Sequence, residues 1–143
     1  FGSMYKGYAS DETITVYTGE PSPEFVRVYT HVRKAQALAI DALGPKVRAA
    51  DVDRTARDYL EGVGLARYFG HGLGHGVGME IHEMPTLSNL SKDTLEEGMA
   101  VTVEPGVYLA GKFGVRTEDT LLITDTACKR LTNLDKDSIK VTS

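Results

Sequence analysis

Apolar side chains recur at helical spacing through one long stretch of this chain. Phe25, Val28, Tyr29, Val32, Ala35, Ala39 and Leu43 follow i, i+3, i+4, i+7 steps, which predicts an amphipathic helix over about 23–43. Ser22 is placed to cap it, Pro23 stands at the first helical position, and Gly44-Pro45 stops it. A second helix is predicted from Asp51 or Asp53, with Val52, Ala56, Tyr59, Leu60 and Val63 as its buried stripe and Gly62 and Gly64 at its end. Elsewhere the period is two. Residues 4–18 read as extended, with a bend or bulge at Gly7 or Ser10-Asp11 and an end at Gly19-Glu20-Pro21. Residues 99–109 and 114–124 read as two strands joined through Ala110-Gly111-Lys112, a hairpin, and a last short strand is predicted near 129–134 or 138–142. Two helices and several strands make an α+β domain in which both helices are scaffold.

Composition narrows the function classes. At 143 residues the chain is one domain by length. A formal charge of −4 gives no basic footprint for nucleic acid. No apolar run approaches the ~20 residues of a membrane span. Cys128 is the only cysteine, which leaves no internal disulfide and points to a reducing, cytoplasmic setting; it reads as a buried small hydrophobe rather than a nucleophile. Phe1 is not a translation start, so the expectation is a piece of a longer protein.

The candidate chemistry lies between the helices and the hairpin. His71-Gly-Leu-Gly-His75-Gly-Val-Gly-Met-Glu-Ile-His82-Glu gathers three of the four histidines among four glycines. Glycine lets backbone pass close to a ligand, and imidazole is the commonest metal ligand. Downstream, strand alternation puts Thr102 and Glu104 on one face, and Arg116, Glu118 and Thr120 on one face of the next strand. A hairpin symmetric about Gly111 sets Glu104 across from Glu118, where two like charges repel unless something positive lies between them. That group is either Arg116, in a structural ion-pair network, or a divalent metal, since carboxylates with one histidine suit Mn²⁺, Co²⁺ or Zn²⁺. Pro105 directly after Glu104 removes a ladder donor and weakens the strand beside the site, as often happens near active sites.

Five blocks in order carry a resemblance: Gly7-Tyr8-Ala9-Ser10-Asp11, His71-Gly-Leu-Gly-His75-Gly-Val-Gly, Ile81-His82-Glu83-Met84-Pro85, Thr102-Val-Glu104-Pro-Gly-Val-Tyr108 and Val115-Arg-Thr-Glu118-Asp. Together they resemble the pita-bread metallopeptidases, most closely the branch of Xaa-Pro aminopeptidases and Xaa-Pro dipeptidases (prolidases). The resemblance implies the C-terminal half of a pita-bread fold, two helices on a curved antiparallel sheet. It implies hydrolysis of Xaa-Pro peptide bonds by a hydroxide shared between two divalent metals, Mn²⁺ first, with Co²⁺ or Zn²⁺ as alternatives. Asp11 matches an aspartate bridging both metals, His75 the metal-binding histidine, Glu104 the glutamate sharing that metal and the proton acceptor, and Glu118 the bridging glutamate. His71 and His82 match histidines that hold the substrate without binding metal, Arg116 an arginine beside the metals, and Tyr8 and Thr13 supports for Asp11.

One departure separates the chain from the family pattern. The family's first metal aspartate belongs directly ahead of Phe1, so residues 1–143 are expected to be a partial catalytic domain with four of five ligands. The resemblance further implies a peptide substrate with proline at its second position, a missing N-terminal half as partner, and a homodimer, with neither nucleic acid nor membrane. The piece alone is expected to hold metal weakly and hydrolyse little. Three rivals stand beside this reading: a metal-free relative acting as a binding module, a methionine aminopeptidase, and a structural domain with a histidine-rich loop. The choice between aminopeptidase and dipeptidase, and the identity of the metal, stay open at this level.

Overall fold

A computed structural model describes residues 1–136 and 139–142. The chain opens with β1 (Gly2–Tyr5) and β2 (Tyr8–Asp11), paired antiparallel from Tyr5↔Tyr8 to Gly2↔Asp11. Lys6 (φ 50°) and Gly7 (φ 85°) make the two-residue turn between them, with both φ angles positive as tight hairpins require. The extended stretch expected over 4–18 is therefore a hairpin reversing at Lys6-Gly7, followed by β3 (Val16–Thr18).

Helix α1 spans Pro23–Asp41, with Ser22 Oγ accepting from the Phe25 amide at 3.2 Å as the cap. Phe25, Val28, Val32, Ala35 and Ala39 are buried along one face, as the spacing predicts. Helix α2 spans Ala49–Gly62 and begins earlier than its acidic residues indicate. The Asp51 carboxylate pairs with Arg48 at 2.8 Å instead of capping, and the Ala49 amide donates to the Asp93 carbonyl at 3.0 Å. A loop distant in sequence thus supplies the acceptor that a local cap would have given. Val52, Ala56 and Leu60 are buried, while Tyr59 and Val63 are half-buried.

A 3₁₀ turn (Ala66–Tyr68) leads into β4 (Gly74–Gly76) and β5 (Glu83–Leu87), two strands in a stretch that reads as loop from sequence. The remaining strands are β6 (Ala100–Val103), β7 (Gly106–Leu109), β8 (Phe113–Arg116), β9 (Asp119–Ile123), β10 (Cys128–Arg130) and β11 (Lys140–Thr142). Both predicted sites of a last short strand hold one; residue 138 of the second lies outside the described residues. The main sheet runs β10-β9-β6-β4-β5 and is antiparallel throughout, whereas β11 pairs parallel with β3.

Each of the two predicted hairpin strands is in fact two. β7 pairs with β8 from Leu109↔Phe113 to Gly106↔Arg116, and β6 continues with β9 from Val103↔Asp119 to Ala100↔Leu122. The register about Gly111 is common to both ladders, and the break falls at Glu104-Pro105 and Thr117-Glu118. There the Glu104 amide turns to the Leu73 carbonyl (2.8 Å) and the Glu118 amide to the Thr13 carbonyl (2.9 Å). One apolar core lies between the helices and the sheet, centred on Val32, Leu60, Leu73, Val103 and Leu121. Burying a side chain of this size contributes about 1.5–3 kcal/mol.

Candidate metal centre

Strand β4 is held where only glycine fits. A Cβ on Gly74 would lie 2.0 Å from the Thr102 carbonyl oxygen, and one on Gly76 would lie 2.3 Å from that of Met84. The glycines of the histidine motif thus let β4 press between β5 and β6. Between His75 and Gly76 the β4–β5 register slips, and such a bulge re-aims the side chain beside it. The His75 amide donates to Thr102 Oγ1 at 3.0 Å, and its Nδ1 lies 3.0 Å from the Gly76 carbonyl. A carbonyl only accepts, so Nδ1 carries the proton and Nε2 faces the carboxylates.

Nε2 of His75 lies 3.1 Å from Glu104 Oε1 and 3.7 Å from Asp11 Oδ2. Ligand atoms of His75, Glu104 and Glu118 all lie within 4.8 Å of one another, as do those of Asp11, His75 and His82. β2, β4, the break after β6 and the break before β9 therefore converge, and the histidine belongs to both groups. Glu104 Oε1 also accepts from Thr102 Oγ1 at 3.2 Å, which orients the carboxylate from two residues back along the chain.

Charge within the cluster is unevenly satisfied. Burial works against ionised His75, but its hydrogen bonds to Glu104 and Gly76 and the charges of Glu104 and Asp11 outweigh it and raise its pKa. Burial likewise opposes ionised Glu104, and His75 and Arg116 overcome it and hold that carboxyl below its ordinary range. Glu118 differs. Its burial, with Glu104 and Asp11 nearby, pushes its pKa up to about 7 against the pull of Thr13 and Arg116. One oxygen, Oε2, accepts from Thr13 Oγ1, while the fully enclosed Oε1 has no hydrogen-bond partner. A buried carboxylate oxygen without a partner is expensive, and an ion is one of the partners that would answer it.

Arg116 does not resolve this. Its Nε is 3.9 Å from Glu104 Oε2, and its exposed side chain forms no ion pair with Glu118 among the described residues. The ion-pair alternative thus leaves the more deeply buried glutamate unanswered, and a donor set of three carboxylates and one imidazole suits a hard or borderline divalent ion. His71 lies at the rim, with Nδ1 2.7 Å from the Gly72 carbonyl and Nε2 3.1 Å from Tyr108 Oη. His82 is exposed, its ring 4.3 Å from that of His75. A hollow of about 550 Å³ opens beside them, lined by His71, His75, Thr86, Glu104 and Arg116.

Two expected supports are placed differently. Thr13 bonds Glu118 rather than Asp11, and Tyr8 is exposed and lines a separate hollow with Glu83 and Met84. Sequence reasoning also passed over the buried polar residues of the helices. Asp53 on α2 accepts from the Leu73 amide (3.1 Å) and from Arg57 (2.8 and 2.9 Å); Arg57 in turn donates to the Phe69 and His71 carbonyls (3.1 and 3.0 Å). This pair grips the start of the histidine loop, from Phe69 to Leu73. Its signal was available as a charged residue standing on an apolar stripe.

Comparison with known proteins adds to this geometry. The model of Metallopeptidase family M24 matches residues 1–125. The Xaa-Pro dipeptidase of Pyrococcus furiosus is 43% identical over 136 residues, covering 95% of this chain and 39% of that protein. Among solved structures, the prolidase from Pyrococcus furiosus superposes with a TM-score of 0.92 over 94% of this chain and 40% of that one. The X-Pro aminopeptidase from Thermotoga maritima superposes at 0.96, with 40% identity, over 99% of this chain and 40% of that one. The chain thus spans about two fifths of the length of the curated relatives it matches.

Proposed function

This chain belongs to metallopeptidase family M24 and has the α+β fold of the C-terminal part of its pita-bread prolidase neighbours, and from that premise we propose that it contributes to hydrolysis of peptide bonds involving proline at the second position of a peptide. The observation that carries the reading is Glu118: a buried carboxylate with one orphaned oxygen, within 4.8 Å of ligand atoms of His75 and Glu104.

Asp11, His75, Glu104 and Glu118 would hold two divalent ions, Mn²⁺ in the first place and Co²⁺ or Zn²⁺ by the same donor chemistry. When bound, such a pair supplies Lewis acidity and lowers the pKa of water. The Gly76 carbonyl keeps the proton on His75 Nδ1, so Nε2 presents its lone pair once the neighbouring carboxylates are engaged elsewhere. Glu104, kept ionised beside His75, accepts a proton from water at an Oε atom. His71, with Nδ1–H held by the Gly72 carbonyl, turns Nε2 to the rim, where as an imidazolium it exchanges Tyr108 Oη for a peptide carbonyl, and His82 offers a second hydrogen bond there. Arg116 lies at the mouth, where it orients a peptide carboxylate or carbonyl. A tertiary Xaa-Pro amide lacks the N–H that other peptidases grip, so recognition falls to such groups.

Among the described residues the cluster has one aspartate. We therefore read the chain as a partial catalytic domain that acts with further chain, most simply within a homodimeric cytoplasmic enzyme, and holds metal weakly by itself. Calorimetric titration with Mn²⁺, followed by cleavage assays on an Xaa-Pro dipeptide and an Xaa-Pro-Yaa tripeptide, tests this. Weak uptake lost in His75→Ala, with little turnover, is expected. Two tightly bound ions with rapid turnover would refute the incomplete site, and no uptake at millimolar Mn²⁺ would refute the metal reading. Any cleavage of dipeptide over tripeptide distinguishes dipeptidase from aminopeptidase.

A further inference from the structure

Behind the metal cluster, on the opposite face of the same strands, lies a second polar group that is fully buried. Gln36 stands at an apolar-stripe position of α1 and is completely enclosed. Its Nε2 donates to the Val103 carbonyl at 3.0 Å and to Asp119 Oδ2 at 3.1 Å. Its Oε1 accepts from Thr117 Oγ1 at 3.1 Å and from Arg33. Every hydrogen-bonding capacity of the amide is engaged, and the two acceptors facing Nε2 settle which way the amide points.

The network continues through Asp119, equally buried. Its Oδ1 accepts from Thr132 Oγ1 at 2.7 Å and from Lys136 Nζ at 3.0 Å, and Arg130 Nε approaches Oδ2 at 3.6 Å. Lys136, nearly inaccessible, also bonds Glu12. The positions are informative. Val103 precedes Glu104, Thr117 and Asp119 flank Glu118, and Glu12 follows Asp11. Neighbours on an extended chain point to opposite faces, so a group fixing one residue aims the next one the other way.

We propose that Gln36, with Asp119 and Lys136, is the positioning group that sets the mutual spacing of Asp11, Glu104 and Glu118. The inference rests on the reading of those three as metal ligands. At the break where β6 and β9 stop pairing, the strands lose the ladder bonds that would hold Glu104 and Glu118 in register. The Gln36 amide spans that gap from the helix side, and Lys136 ties in the end of β2. Partners of this kind govern ligand orientation, and their loss typically weakens metal binding ~10–100-fold.

The test compares four forms of the chain by Mn²⁺ titration, by the visible absorption of bound Co²⁺, and by thermal melting without metal. Gln36→Met removes the amide at similar volume. Thr132→Val removes one bond to Asp119 at the network's edge, with the longer one from the Thr120 amide, at nearly unchanged volume. Val32→Ala, one turn earlier on α1, buried and contributing no side-chain hydrogen bond to the network, is the control for lost stability. Expected is a ~10–100-fold loss of Mn²⁺ affinity in Gln36→Met, a smaller loss in Thr132→Val and altered Co²⁺ bands in both, with Val32→Ala binding as the unaltered chain does despite its lower melting temperature. Equal affinities in all four forms would overturn the inference and leave the metal reading standing. If the unaltered chain takes up neither ion, the metal reading fails and this inference with it.

Discussion

Glu118 gives the sharpest prediction, because its burial and its missing partner make a quantitative statement about stability in the absence of metal. Its ordinary pKa of 4.5 rises to about 7 in the folded chain, and it is 2% exposed. Between these values the unfolded chain gives up the proton while the folded chain keeps it. Stability is therefore fully present below about pH 4.5 and lost as pH rises through 7; the whole difference corresponds to about 3 kcal/mol. His75, also raised, adds a loss of the same sign, and Glu104, lowered, gives a contribution present at neutral pH and lost in acid. The comparison must isolate Glu118. Urea unfolding at steps from pH 5 to 8 with a chelator present, on the unaltered chain and on Glu118→Gln, does so by difference. The variant should gain relative stability steadily with pH, reaching about 3 kcal/mol near pH 8. Millimolar Mn²⁺ should narrow the gap, because the ionised carboxylate is the form that binds and a weakly held ion adds little stability. A difference that stays flat across this range would refute the buried, unpartnered carboxylate on which the site reading depends.

Three further outcomes follow from the geometry. Glu104→Gln should abolish measurable Mn²⁺ uptake in calorimetry while the chain stays folded by circular dichroism, since it withdraws an anionic ligand and the partner of His75. Asp53→Asn should lower stability by about 3 kcal/mol in urea titration, the low end for a broken buried pair because Arg57 is partly exposed, whereas Arg48→Ala at an exposed pair should leave it nearly unchanged. Gly74→Ala should lower stability by at least about 3 kcal/mol, or prevent folding, because its Cβ would overlap the Thr102 carbonyl; Gly98→Ala meets nothing within 4 Å and is strained only by its φ of 88°, a smaller loss.

Much of the scaffold was legible along the chain, for reasons that are local. The stripe from Phe25 to Ala39 and the Ser22-Pro23 start define α1 without reference to any other element, because helical periodicity and capping are properties of adjacent residues. The register of Glu104 against Glu118 could likewise be counted from Gly111, since a short turn fixes every pair that follows it. The acidic and histidine ligands were legible through the five motifs, where residue type and order carry the chemistry.

What sequence could not decide depended on residues far apart along the chain. α2 starts at Ala49 because the Asp93 carbonyl meets its amide. β4 and β5 read as loop because their strand character comes from neighbours pressed against glycine, not from β-branched side chains. Gln36 and Asp53 look like imperfections in two amphipathic stripes until the fold brings Val103, Asp119 and Leu73 to them. The sequence by itself determined which groups could bind a metal and which face of each strand they occupy. Only the tertiary structure decided that Glu118 would be sealed off with one oxygen unanswered while Glu104 found His75, because burial and the distances between charges exist only once the elements are packed.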